Sequence, residues 1–174
     1  MTDFHASLAA LFERASVAYA VIGGHAVNVW LEPRATIDVD VTVYADPTGH
    51  RRLRDVLVQE GYTVSREDGT ALPSGPDFSR FVTRDESMVI EIQAAKTDFQ
   101  RELVSRAVAA EDGLRIATPE DLIVLKLLAY RPKDRIDLSG LAELPDLDWL
   151  YVEKWAAEWD VRSRLEEVRR DARR

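Results

Sequence analysis

The sequence predicts an α/β (α+β) protein, a mixed β-sheet flanked by helices and followed by a C-terminal helical cap. Three observations carry this. A strand, glycine turn and helix follow one another in YAVIGGHAVNVWL; a strictly alternating segment lies at residues 37–43 and a pair of strands at 78–83 and 88–94; and past Thr97 the pattern turns helical. A chain of 174 residues suits one ordinary domain with a helical annex and excludes two large independent ones. Residues 1–97 are assigned to the core and residues 98–174 to a helical part that packs on it as a single compact unit.

Each element has its own signal. Leu8, Leu11, Phe12 and Ala15 recur at helical spacing, marking a helix with one buried stripe. Tyr19 to Ile22 is a short apolar strand running into Gly23 and Gly24, and the helix that starts there is interrupted at Glu32-Pro33. From Ile37 to Val43 the period is two, which puts Ile37, Val39, Val41 and Val43 on one face and Asp38, Asp40 and Thr42 on the other. Leu53, Val56 and Leu57 mark a helix from Pro47 to Glu60, stopped by Gly61, before a strand at Tyr62–Ser65. Glu67 to Asp77, rich in Gly, Pro, Asp and Ser, reads as a loop or hairpin turn. Phe78–Thr83 and Met88–Ala94 are expected to pair around the turn Arg84-Asp85-Glu86-Ser87, with Val89, Glu91 and Gln93 on one face and Met88, Ile90 and Ile92 on the other.

In the second half, Thr118-Pro119-Glu120-Asp121 opens a helix with a capping hydroxyl, a proline at the first helical position and acids in the first turn, ahead of the apolar run LIVLKLLA. Pro132 ends that helix or begins the next, and Leu138, Leu141 and Leu144 continue a stripe up to Pro145. Asp148 caps a further helix bearing Trp149, Leu150, Val152, Trp155 and Trp159, with the tryptophans as cap core. The final VRSRLEEVRRDARR is a solvated amphipathic helix or a frayed tail.

Composition removes whole classes of function. Lys and Arg number 23 against 31 Asp and Glu, a net charge of −8, which disfavours sequence-blind wrapping of nucleic acid and hence extended DNA binding, while leaving a local basic site open. The absence of cysteine excludes disulfides, thiol nucleophiles, iron–sulfur clusters and Cys-ligated zinc, and fits a cytoplasmic location. The start, MTDFHASLAALFERAS, does not read as a signal peptide, and no stretch approaches the length of a membrane span.

The chemistry-bearing residues are acids. Asp38, Asp40 and Glu91 project from two strands and converge only if those strands are neighbours. Like charges held together repel, and a divalent cation bridging their oxygens relieves them; two Mg²⁺ about 3.5–4 Å apart would orient a triphosphate and activate an attacking hydroxyl. Taken alone, Ile-Asp-Val-Asp-Val reads more readily as a solvated strand face and Gly23-Gly24 as a plain turn. Their spacing changes this. The 13 residues 25–37 allow one helix and a return to the adjacent strand, so a glycine turn whose backbone receives phosphates would lie beside the acids.

The run VIGGHAVNVWLEPRATIDVDV resembles the signature of the nucleotidyltransferase superfamily: an apolar strand, a Gly-Gly or Gly-Ser turn, and an Asp-x-Asp pair, with a third acid on a later strand at Glu91. The segment TPEDLIVLKLLAYRPKDRIDL further resembles the helical motif of AbiEii-like toxin nucleotidyltransferases, at Lys126, Arg131, Lys133, Asp134 and Asp137. Together these cover most of residues 19 to 141. The resemblance implies a nucleotidyltransferase-like fold in which Gly23 and Gly24 cradle the triphosphate, Asp38, Asp40 and Glu91 hold two Mg²⁺, and Glu91 is a candidate base. Lys126 would neutralise phosphate charge, and Asp134 or Asp137 would orient Lys126 or the acceptor. Lys126 interrupts an apolar run, so it either has a buried anion nearby or snorkels to solvent.

One departure from the superfamily pattern is Gly24, which offers no hydroxyl where many members have serine. His25, Arg34 and Thr36 stand where they would meet phosphate or acceptor; the plainer alternatives are a structural histidine, a loop cation and a strand-entry threonine. The C-terminal arginines Arg162, Arg164, Arg169, Arg170, Arg173 and Arg174 read first as dipole-complementing cations. The resulting expectation is a Mg-dependent enzyme moving NMP from an NTP to a hydroxyl. The favoured acceptor is a tRNA 3′ end or a protein hydroxyl, with a small molecule such as an aminoglycoside left open, and the partner a cognate antitoxin or toxin. The rival is a catalytically inactive nucleotide- or partner-binding domain of the same fold; a third reading is a plain structural domain.

Overall fold

Alternating apolar residues build the sheet of the first unit. The computed structural model describes residues 2–69 and 76–171, and the chain divides into one unit of Met1–His25 with Arg34–Ala117 and a second of Ala26–Pro33 with Thr118–Arg174.

The first unit opens with helix α1 (Thr2–Ala15), whose Leu8, Leu11, Phe12 and Ala15 are all buried as their spacing requires. Phe12 stacks on Tyr19 of strand β1 (Ala18–Ile22), ring centroids 4.1 Å apart. Helix α2 (Gly23–Trp30) starts where β1 ends. Strand β2 (Asp38–Tyr44), helix α3 (Pro47–Gln59), strands β3 (Thr63–Asp68), β4 (Phe78–Val82) and β5 (Val89–Ala94), helix α4 (Asp98–Arg106) and the two-residue strands β6 (Val108–Ala109) and β7 (Arg115–Ile116) follow. The strands form one mixed sheet in the order β3-β4-β5-β2-β1-β7-β6, with β2/β5 and β1/β7 parallel and the other pairs antiparallel. Val39, Val41 and Val43 are fully buried on one face beside Ile90 and Ile92, and α4 packs on β1 and β2.

Several elements differ from the sequence expectation. The sheet does not end before residue 97, since β6 and β7 form a short hairpin that adds Ile116 alongside Val21, and the first unit runs on to Ala117. Two-residue strands carry no period, which is why the pattern hid them. Ile37 stands outside β2 and is 68% exposed: pairing starts at Asp38, so no neighbouring strand covers Ile37. β3 extends past Ser65 to Asp68 by pairing across to Phe78, which converts the first residues of the expected 67–77 loop into strand; its centre, residues 70–75, lies outside the described residues. Thr42 shares the polar face but is fully buried, accepting a hydrogen bond from Gln93 Nε2 at 2.7 Å.

The second unit is built on helix α5 (Pro119–Ala129), capped by Thr118 and buried on nearly every side through Leu122, Ile123, Val124 and Leu127. Helices α6 (Pro132–Ala142) and α7 (Trp149–Glu158) pack against it, and α8 (Arg162–Asp171) packs on α6 and α7. Pro132 therefore begins a helix, after Tyr130 closes α5 in the left-handed conformation at φ +47°. Asp148 caps α7 by accepting from Tyr151 N at 3.1 Å. Trp155 is core as expected, but Leu150 is 79% exposed, on the helix side opposite Val152 and Ala156, and Trp159, the C-cap residue past the last helical turn, is 38% exposed. Arg164 donates to the carbonyls of Leu127 and Leu128 (2.6 and 3.0 Å), so it caps the end of α5. Arg173 and Arg174 lie outside the described residues. Among the described residues no helix is long and apolar enough to cross a membrane.

Candidate active site

The polar end of the central strands is where the acids lie. In the parallel β2/β5 ladder Asp40 is the direct neighbour of Glu91 and Asp38 of Val89, and neighbouring strands are about 4.8 Å apart. Asp38, Asp40 and Glu91 therefore share one face of adjacent strands, each half-buried. On the other side Asp40 faces Ile22, the last residue of β1, so the turn at Gly23 follows directly beside it.

The first position of that turn tolerates only glycine. Gly23 has φ +65°, and a Cβ there would lie 1.9 Å from Asp40 Oδ2. A Cβ on Gly24 would lie 2.8 Å from Thr36 Oγ1. The bare turn at the start of α2 is thus the surface against which the Asp40 carboxylate and the Thr36 hydroxyl are seated. Arg34 is exposed on the segment leading into β2.

His25, next in α2, is half-buried, and burial first, then the neighbouring His5, lower its pKa, with Asp38 opposing. The two rings meet edge to face at 5.3 Å, and His5 Nδ1 lies 2.6 Å from Asp112 Oδ2. The Nε2 atoms of both histidines are buried with no hydrogen-bond partner among the described residues. His5 and Asp112 were not singled out from sequence, since a pairing between residues so far apart in the chain leaves no local pattern.

Arg80 was also missed, although its signal was present. Residues equidistant from the centre of the turn at 84–87 pair across the hairpin, which sets Arg80 opposite Glu91. The pair is observed: Arg80 Nε lies 3.7 Å from Glu91 Oε1 and makes no hydrogen bond.

An oxygen-only donor set at the surface suits a hard divalent cation, and the lack of a side chain at Gly23 lets the Asp40 carboxylate sit directly against the turn. Asp38 and Asp40 fit such an ion by chemistry and placement. Among the described residues, however, no group of three or more His, Asp or Glu side chains is gathered as a metal cluster, and Glu91 has Arg80 as its counter-ion.

Lys126, Asp134 and Asp137 form a cluster of their own inside the second unit. The Lys126 ammonium lies 2.6 Å from Asp137 Oδ2 and 3.5 Å from Asp134 Oδ1, all three side chains being buried. Of the two alternatives for Lys126, a buried anion partner is the one observed. Burial alone would raise the Asp134 pKa, but Arg131, donating through Nε at 2.6 Å and its backbone N–H at 3.1 Å, together with Lys126, holds it below the ordinary value.

Over residues 1–173 the chain matches the family described as nucleotidyltransferase of unknown function (DUF6036). No curated protein matches its sequence. Among solved structures, that of the antibiotic-resistance factor ANT(2'')-Ia in solution aligns with a TM-score of 0.60 at 17% identity, covering 96% of this chain and 97% of that one. An antigenic nucleotidyltransferase-like protein from Paracoccidioides brasiliensis aligns at 0.56 and 16% identity, over 96% and 90% of the two chains. The lincosamide antibiotic adenylyltransferase LnuA, bound to lincomycin, aligns at 0.55 and 15% identity, over 78% and 92%. At these identities the likeness is one of fold, and the fold is the mixed sheet with flanking helices that the sequence predicted. The superfamily is the one that the glycine turn and Asp-x-Asp pair resemble; the AbiEii-like group is not the family matched.

Proposed function

Because the chain belongs to the DUF6036 nucleotidyltransferases, an enzyme class, we propose that it transfers NMP from an NTP to a hydroxyl acceptor with the help of Mg²⁺. The observation that carries this reading is the register that sets Asp40 beside Glu91 and against the Gly23 turn. Asp38 and Asp40 would hold the ion. When bound, Mg²⁺ supplies charge neutralisation for the phosphates and a template for their oxygens. The start of α2 at Gly23 and Gly24 receives phosphate oxygens on backbone N–H groups, with His25, Thr36 and Arg34 at its rim. The acceptor oxygen attacks the α-phosphorus, its bond to the bridging oxygen breaks, and pyrophosphate leaves. Glu91 takes the proton of the attacking hydroxyl once Arg80 releases it. Positioning and charge placement do most of the work in such a transfer.

The acceptor favoured is a tRNA 3′ end or a protein hydroxyl, and the biological setting a toxin–antitoxin pair. Support for both is the resemblance of the Lys126, Arg131, Lys133, Asp134 and Asp137 segment to AbiEii-like toxins. The test is incubation of the purified protein with each labelled NTP and Mg²⁺ against total tRNA, cell protein, and an aminoglycoside and lincosamide panel. Label transfer that Asp40→Asn abolishes supports the reading; label appearing only on a small molecule replaces the acceptor and removes the toxin setting.

A second reading, a catalytically silent nucleotide-binding member, is favoured by the Arg80–Glu91 pair, which occupies the candidate base. Calorimetry decides between them: NTP binding without pyrophosphate release against any acceptor supports the silent form.

A further inference from the structure

Strand β4 alternates, so Arg80 joins Glu91 on the acid face while Phe81, paired with Ile90, points to the opposite face. On that opposite face, between α3 and the outer strands β3 and β4, lies a cavity of about 240 Å³. Its floor is apolar, with Phe81 only 2% exposed. Two polar side chains in its wall are more than nine-tenths buried, His50 at 8% and Ser79 at 5% exposed. Neither the imidazole nor the hydroxyl makes a hydrogen bond among the described residues. Both residues line the cavity, so a ligand in it could accept from them.

The charges at the rim are unbalanced. Arg54 is tied to Glu67 at 3.4 Å, whereas Arg51, exposed on α3, touches only the Thr48 hydroxyl at 3.2 Å and pairs with no carboxylate among the described residues. Burial, then Lys96, lower the His50 pKa against the pull of Asp46, so at neutral pH the ring is an uncharged donor. One uncompensated cation, two donors and an apolar floor match a single negative charge on an apolar body. The volume lies below the range of about 300–1,000 Å³ typical of drug-sized ligands, which limits that body to one ring or a branched chain.

We propose that this cavity binds a small carboxylic acid with a compact apolar body, its carboxylate meeting Arg51, His50 and Ser79 and its body lying on Phe81. The site is on the face away from Asp38, Asp40 and Glu91 and does not depend on the nucleotide reading. The test is an amide-resonance titration of the full chain with benzoate, alongside benzamide, which keeps the shape without the charge, and inorganic phosphate, which keeps charge without the body. The expected result is saturable benzoate shifts at residues 50–51 and 79–81, with both comparison compounds at least about tenfold weaker. Arg51→Gln weakens benzoate by about tenfold with an unchanged melting temperature, since Arg51 is a surface residue; Ser79→Ala weakens it less without closing the cavity. Absence of shifts at those residues, equal binding of benzamide or phosphate, or wild-type affinity in Arg51→Gln overturns the proposal.

Discussion

Asp134 and Asp137 in the second unit are 1% and 4% exposed and lie against the Lys126 ammonium, whereas Asp38, Asp40 and Glu91 in the first are half-buried on a sheet face, with Arg80 standing off from Glu91 at 3.7 Å. The residue types are nearly the same. In the sealed cluster each carboxylate has its compensation within hydrogen-bond reach, and the cost of burying charge is offset inside the protein. On the sheet face the carboxylates keep contact with solvent, where an external cation can reach them.

The severest loss should come from removing the central ammonium of the sealed cluster. Lys126→Met takes the shared ammonium away from both buried carboxylates and leaves Arg131 on Asp134, and should cost about 3–5 kcal/mol, read as a fall in the urea midpoint. Adding Asp134→Asn and Asp137→Asn to that variant should restore most of the stability; if transfer activity stays lost in the restored protein, Lys126 serves phosphate as well as the fold. On the open face the loss appears in rate instead of stability. Asp40→Asn should lower pyrophosphate release by about 100- to 1,000-fold with the melting temperature unchanged, and a large drop in melting temperature would make Asp40 a structural residue.

Gly23→Ala should damage both quantities. The positive φ and the 1.9 Å approach to Asp40 Oδ2 cost about 1–3 kcal/mol, and displacement of Asp40 lowers activity with it. The gentlest probe is acid. The Asp134 pKa is held below its ordinary value of 3.8, so its contribution is present in full above that value and lost as pH falls through the folded one. Between about pH 5 and pH 2 the wild type should therefore lose stability more steeply than Asp134→Asn; parallel curves of urea midpoint against pH would refute this.

Much of the candidate site was legible because its signals are local. Period-two alternation put Asp38 and Asp40 on one face, and the same rule put Glu91 with Val89 and Gln93. The capping of α5 by Thr118 and of α7 by Asp148 followed from short-range rules. The alternation overran by one residue at Ile37, since a period describes a face and not where a neighbouring strand stops covering it. The β6/β7 hairpin was invisible at two residues per strand. His5 and Asp112 escaped because nothing local links them, while Arg80 was within reach through the hairpin register and was overlooked.

By itself, the order of residues determined which side chains share a face, where helices start and which positions demand glycine, because backbone period and capping act over a few residues. Tertiary structure alone decided that β5 lies beside β2 in parallel, so that Glu91 meets Asp40, that Arg80 shields it, and that His50 and Ser79 line one cavity. Those outcomes depend on strand order, and strand order is set by burial summed over the whole sheet, a quantity no local window contains.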